Sequence, residues 1–238
     1  MTISNSEYYI SQKLKLLKGF DKIAKRARKY LNNRYGDDFT KLIIAETRDR
    51  FDQIIPKIPY IGGRKNQFTS VMILVGWLIS FFQVMRVHGK SEEEVNAIFC
   101  EVADDYFKSL PRLFLWFLGK IVFTNLFLRR MKKQADKSQK HQYPDDFVYK
   151  FVKGNGKNFD WALELSECAV NKFYKAQEVE ELKPYCNFFD ITYSKYLGMG
   201  INANETIGNG CKTCKLQYKK GRETQVPEQL KGLIPKKK

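Results

Sequence analysis

Residues 201–219 read INANETIGNGCKTCKLQYK, and this stretch decides the fold class. Ile201–Ile207 has the composition of a first strand, Gly208-Asn209-Gly210 supplies residues that tolerate a tight turn, and Cys211–Lys219 forms a second strand, so the spacing predicts a β-hairpin. Along the second strand Cys214, Leu216 and Tyr218 share one face and Lys215, Gln217 and Lys219 the other, which turns Cys214 inward. Residues 10–197, by contrast, carry most of their apolar residues at helical spacing. The expectation is an α+β domain, a helix-rich N-terminal part (1–197) packed on a small antiparallel β-sheet near the C-terminus, with a basic tail over 220–238. No linker-like composition divides the 238 residues, so a single domain is expected.

Working outward from the hairpin, Gly198 and Gly200 end a helix that Pro184 opens. In that helix Cys186, Asp190 and Tyr193 stand at i, i+4 and i+7 and share one face. Further upstream Trp161, Leu165, Cys168 and Phe173 recur at helical spacing, which predicts another helix from Asp160 with Cys168 near its apolar face. The polar stretch Lys132 to Asp146 reads as a long surface loop. Ile43, Ile44, Phe51, Ile54 and Ile55 mark a helix over Thr40–Ile55 that Pro56 stops. Ser91 and Glu94 form a capping box before a stripe of Val95, Ile98, Phe99, Val102 and Tyr106, and Cys100 beside that stripe reads as a structural thiol. Between these helices, PKIPYIGGRKNQ (56–67) must be a shaped loop. It is either a connector or a cradle of backbone N–H groups beside Arg64 and Lys65 for a carboxylate.

Two apolar runs bear on membrane insertion: VMILVGWLISFFQVM (71–85) and LPRLFLWFLGKIVFTNLFL (110–128). A spanning helix needs about 20 largely uncharged residues. The first run is short and the second carries Arg112 and Lys120, so buried core helices are expected, with a partly exposed face docking on a membrane or partner as the alternative.

The formal charge of +16, clustered in Lys22–Lys29, Arg129–Lys140, Lys212–Arg222 and three final lysines, invites a nucleic-acid reading. No recognition motif and no interleaved aromatics accompany those clusters, so a solvated lysine-rich surface is favoured and nucleic acid remains possible but unsupported by motif. Glu7 and scattered lysines interrupt the N-terminal apolar run that export would require, so a cytoplasmic location is expected. Five cysteines, an odd number, suit free thiols, a metal or catalysis better than a disulfide framework. Cys168, Cys186, Cys211 and Cys214 lack a second Cys-x-x-Cys knuckle, Cys211 and Cys214 have opposite strand parity, and His88 and His141 fall in no ligand-spaced motif. No metal and no cofactor are expected.

The segments ELSECAVNKF, LKPYCNFFDITYSKYLGMGI and ETIGNGCKTCKLQY, together with the earlier PYIGGRKNQ loop, make residues 56–220 resemble the L-2-amino-thiazoline-4-carboxylic acid hydrolase family. The resemblance maps onto Glu167 and Cys168, Cys186 and Asp190, Thr206 and Gly210, and Cys214. It departs from the family pattern at Lys215 and Leu216 after the last cysteine, and at Asn202 and Asn204 before the threonine. It implies hydrolytic opening of a small cyclic amidine-like ring such as a 2-aminothiazoline carboxylate. Cys186 would be the nucleophile, Asp190 the general acid/base, Cys214 a supporting thiol and Glu167 a second proton-transfer group. Arg64, Tyr193 and Thr206 would bind substrate. The competing expectations are a catalytically silent small-ligand binder of the same family and a basic protein on membrane or nucleic acid.

Overall fold

The structure, a computed structural model, describes residues 5–234; the three final lysines, and the first residues of the stretch read for an export signal, lie outside the described residues. Helices α1 (Asn5–Ile10), α2 (Lys13–Tyr35), α3 (Asp37–Ile54), α4 (Thr69–Val87), α5 (Glu92–Lys108), α6 (Arg112–Ile121) and α7 (Asn125–Ser138) come first. Strands β1 (Val148–Lys153) and β2 (Trp161–Glu167), helices α8 (Ala169–Ala176) and α9 (Phe188–Leu197), and strands β3 (Ile201–Asn202) and β4 (Cys214–Tyr218) complete an α+β fold.

Local chemistry accounts for the breaks. Ser91 accepts from the Glu94 N–H while the Glu94 carboxylate accepts from the Ser91 N–H, the capping box that starts α5. Pro56 falls in a 3-10 turn directly after α3, where it cannot continue the helical bonding. Phe51, Ile54 and Ile55 of that helix end, with Ile43, are fully buried. Cys100 is also enclosed, and burial pushes its thiol up to about 12, which keeps it protonated and inert.

The sheet has the order β1-β2-β4-β3, with every neighbouring pair antiparallel. Leu163 and Leu165 of β2 stand opposite Phe151 and Tyr149 of β1 and opposite Leu216 and Cys214 of β4. Period-2 alternation therefore gathers these side chains, with Trp161 and Tyr218, on the face that meets the helices. Trp161 stacks on Tyr218 with ring centroids 4.0 Å apart, and Phe127 of α7 meets the same indole edge-on at 5.9 Å. The opposite face carries Lys150, Glu164, Lys215 and Gln217.

Several expectations are corrected. Residues 1–197 are not helical throughout, because Trp161–Glu167 forms a central strand. Trp161, Leu163 and Leu165 obey a period of two, and the helical match was carried only by the fourfold spacing that both periods contain. Cys168 consequently stands at the strand-to-helix junction before α8. The hairpin is looser than the spacing suggests: β3 is two residues long, and Gly208-Asn209 lies in a short 3-10 turn capped by Thr206 and closed by Gly210 with φ 83°. Cys211 lies outside the second strand. Pro184 does not open α9. It sits inside a preceding 3-10 turn, Glu180–Tyr185, so Cys186 precedes the helix that holds Asp190 and Tyr193. The stretch 132–146 is helical as far as Ser138. In the 220–238 segment, Leu230 and Ile234 are buried in the core, so part of what reads as a basic tail is anchored.

The two apolar runs part company. Eleven residues of α4 are buried, among them Met72, Leu78, Ile79, Phe82 and Met85, although the helix is long and apolar enough to cross a membrane by length and composition. The second run becomes α6 and the start of α7, and there Leu115 and Gly119 are the buried residues of α6. Leu113, Phe114, Trp116, Phe117 and Leu126 face outward, against the expectation of a core helix.

Candidate functional site

α9 is held tightly before it presents any functional group. Asp104 of α5 accepts from Tyr196 Oη at 2.6 Å and from Lys195 Nζ at 3.3 Å, and Lys108 pairs with it at 2.5 Å. Burial alone would raise this carboxyl, but those three donors hold it below the usual carboxylate range, so it is a fixed anion that clamps α9 to α5. Asn187 Nδ2 donates to the Ala203 carbonyl at 2.9 Å, and Ser194 Oγ accepts from the Ile201 N–H at 3.1 Å. These bonds join α9 and the residue before it to β3 and the residue after it.

On this frame α9, β4, the β2–α8 junction and the turn before α9 bring several polar groups together. Asp190 is half-buried and its carboxyl is pushed up to about 7 by burial, a shift that the hydrogen bond from Tyr193 only partly opposes. Tyr193 Oη and Tyr218 Oη are 3.2 Å apart. With Tyr193 donating to Asp190, Tyr218 donates to Tyr193, and a two-phenol chain ends on the carboxylate. Both phenols are pushed above their ordinary value, first by burial.

Three thiols adjoin this chain. Cys186 is held well above its ordinary pKa by burial and by the neighbouring Cys168, Cys214 and Asp190. Cys168 is pushed up to about 12 by burial and Cys214, although the N–H groups of Asn171 and Val170 pull the other way. Cys214 is raised by burial, and its Sγ accepts from the Ile207 N–H at 3.2 Å. All five cysteines of the chain are free. At neutral pH the cluster is therefore a set of protonated thiols around one carboxyl that is poised to ionise. Gly208 covers Cys186: a Cβ there would stand 3.0 Å from Sγ and 2.1 Å from the Lys183 carbonyl, so only glycine permits the turn to close this tightly.

The sequence-derived set divides in two. Cys186, Asp190, Cys214 and Tyr193 converge. Thr206 borders them, but its Oγ1 accepts from the Asn209 N–H at 3.2 Å and is spent on capping the turn. Glu167 does not join them. Its carboxylate pairs with Lys172 and lies 3.5 Å from His141 Nδ1, and the Lys172 hydrogen bond holds it below the usual range. The strand end aims Glu167 and Cys168 to opposite sides. Arg64 is exposed on the Gly63–Lys65 turn, next to a cleft of about 350 Å³ lined by Lys65, Asn66, His141, Tyr143 and Asp146. Sequence reading missed Tyr218 and Gly208 as parts of the site, although Tyr218 shares the inward parity of Cys214.

Three cavities stand out, and Cys186, Asp190 and Cys214 line none of them. Besides the cleft beside Asp146 there is an apolar cavity of about 320 Å³ between α2, α3, α4, α5 and α9, lined by Phe20, Ile44, Trp77, Phe99 and Phe189 among others. A polar groove lies between Glu46, Arg50 and Glu178. Among the described residues no group of three His, Cys, Asp or Glu side chains is placed to hold a metal ion. No family model, no curated protein and no solved structure matches the chain.

Proposed function

We propose that this protein is a ring-opening hydrolase of the L-2-amino-thiazoline-4-carboxylic acid hydrolase type, acting on a C–N bond of a small cyclic amidine. The observation that carries the reading is the Asp190 carboxyl, desolvated to a pKa of about 7 beside Cys186 and Cys214 and ended by a chain of two phenols. A carboxyl near neutrality both takes and returns a proton, which is what such a reaction needs. Asp190 as carboxylate accepts the proton of the Cys186 thiol, or of a water, as sulfur or oxygen bonds to the carbon between ring nitrogen and ring sulfur. Protonated Asp190 then returns that proton to the ring nitrogen as the C–N bond breaks. If Cys186 has added, water releases the covalent intermediate with the same proton cycle. Working thiols call for a reducing compartment, which assigns the protein to the cytoplasm within this reading.

Turnover of 2-aminothiazoline-4-carboxylate by purified protein tests it. Asp190→Asn is expected to lower kcat by at least about a hundredfold with the fold retained. Cys186→Ser and Cys186→Ala separate the two routes, since a water attacking directly tolerates both and a covalent route tolerates neither. No turnover by the wild-type chain on any cyclic amidine would sink the proposal.

A second reading has one observation behind it. The pKa of Asp190 is set by burial and Tyr193, and Arg64, the expected carboxylate clamp, stands on the separate Gly63–Lys65 turn. A site without that clamp favours a catalytically silent relative that binds an uncharged ring. Calorimetry with an uncharged thiazoline and with its carboxylate separates the two readings, because the silent binder prefers the uncharged ring and releases it unchanged.

A further inference from the structure

α6 and the first turns of α7 are built alike. In α6, Leu115 and Gly119 face inward, and the backbone at Gly119 approaches α9 so closely that a Cβ would stand 1.9 Å from the Leu197 carbonyl oxygen. Facing outward are Leu113, 76% exposed, and Trp116 and Phe117, each 56% exposed, followed one turn later by Lys120, whose ammonium sits 4.3 Å from the Trp116 ring. In α7, Met131 and Ala135 face inward, while Leu126, 81% exposed, is followed at i+3 and i+4 by Arg129 and Arg130. α6 thus flanks its exposed apolar side chains with a cation at each end, Arg112 and Lys120, and α7 places Arg129 and Arg130 a turn after Leu126, arrangements in which basic side chains snorkel past an apolar surface. Between Tyr106 and Ala135 the sequence contains seven Lys and Arg and no Asp or Glu. A protein partner or a second copy of this chain would need its own acidic face to match. An anionic bilayer offers that charge and accepts the apolar residues beneath it.

We propose that the α6–α7 elbow is a membrane-docking surface that lies in the interface of an anionic bilayer, with Leu113, Trp116, Phe117 and Leu126 inserted and Lys120, Arg129 and Arg130 at headgroup level. The geometry sets the depth. α6 has ten residues and is about 15 Å long, too short to span, and it is tied to α9 along one side, so it lies in the surface.

The test is co-sedimentation of the full chain with vesicles of phosphatidylcholine alone and of phosphatidylcholine mixed with phosphatidylserine, at low and high salt. Binding to the anionic vesicles that weakens with salt is expected, together with quenching of Trp116 by brominated acyl chains, read as the quenching lost in Trp116→Phe. The exposed pair Leu113→Ser/Phe117→Ser and the charge pair Arg129→Glu/Arg130→Glu should each weaken binding by about tenfold or more, with melting temperatures unchanged. Failure of the wild-type chain to sediment with anionic vesicles overturns the proposal, as does equal binding to neutral vesicles or binding that neither pair alters. A wild-type dimer that Leu113→Ser/Phe117→Ser dissociates, without vesicle binding, assigns the surface to a second copy instead and also overturns it.

Discussion

α4 and α6 start from nearly the same kind of sequence, bulky apolar residues with at most one or two cations, and end in opposite places. α4 is surrounded by α3, α5 and α8 and buries Met72, Ile79, Phe82 and Met85. α6 touches the protein along one narrow stripe, Leu115 and Gly119, and leaves Leu113, Trp116 and Phe117 outside. Hydrophobic content states how much a segment gains by leaving water. It does not state which surface receives it, because that depends on neighbours distant in the chain.

The comparison is most sharply broken by truncation. Phe82→Ala in α4 is expected to cost about 3–5 kcal/mol, the usual range for removing a buried ring, whereas Phe117→Ala in α6 should stay within about 0.5 kcal/mol. Chemical denaturation of the two variants checks both, and equal losses would mean that α6 is covered after all.

Asp190 has the next largest effect. Its folded pKa of about 7 lies above the ordinary carboxylate value of 3.8. The folded state therefore holds more protons between pH 4 and 7, and stability falls as pH rises through that window. The penalty is complete above pH 7 and should be of the order of 2 kcal/mol, since partial exposure reduces it below the fully buried limit. Urea midpoints of the wild type measured across pH 4–8 should show this decline, and Asp190→Asn should flatten it. An unchanged slope in the variant would assign the shift elsewhere.

Gly119 sharpens the comparison, because it fixes how close α6 comes to α9. A Cβ against the Leu197 carbonyl must displace the helix, so Gly119→Ala should cost about 1–3 kcal/mol. It should also raise hydrogen exchange in α6 while α4 amides stay protected. The smallest effect is one of rates: a thiol reagent at pH 7 should label Cys211 first, half-buried Cys186 more slowly, and Cys100 only on unfolding.

Legibility varied with the range of the interactions involved. The capping box at Ser91 and Glu94, the stop at Pro56 and the inward parity of Cys214 and Tyr218 could be read directly, since each depends on residues a few positions apart. Trp161–Glu167 matches a helix as well as a strand in sequence, because Trp161 and Leu165 satisfy both periods and only the pairing with β1 and β4 selects the strand. Half of the candidate site was readable for the same reason. Asp190 and Tyr193 share a helix face and Cys214 an inward strand face, but Glu167 and Arg64 were attached to them by resemblance alone, and they lie beside other partners.

The sequence by itself determined the α+β class, the start of α5 at Ser91, the stop after α3 at Pro56 and the chemistry available: five thiols, a carboxylate on a helix face, and a basic apolar stretch without acids. Only the tertiary structure decided which thiols meet Asp190, that the phenols of Tyr193 and Tyr218 complete its chain, and that one apolar helix goes in while another stays out. The physical reason is that spacing along the chain sets the direction of a side chain relative to its own element, whereas desolvation, charge coupling and burial depend on what the other elements place around it.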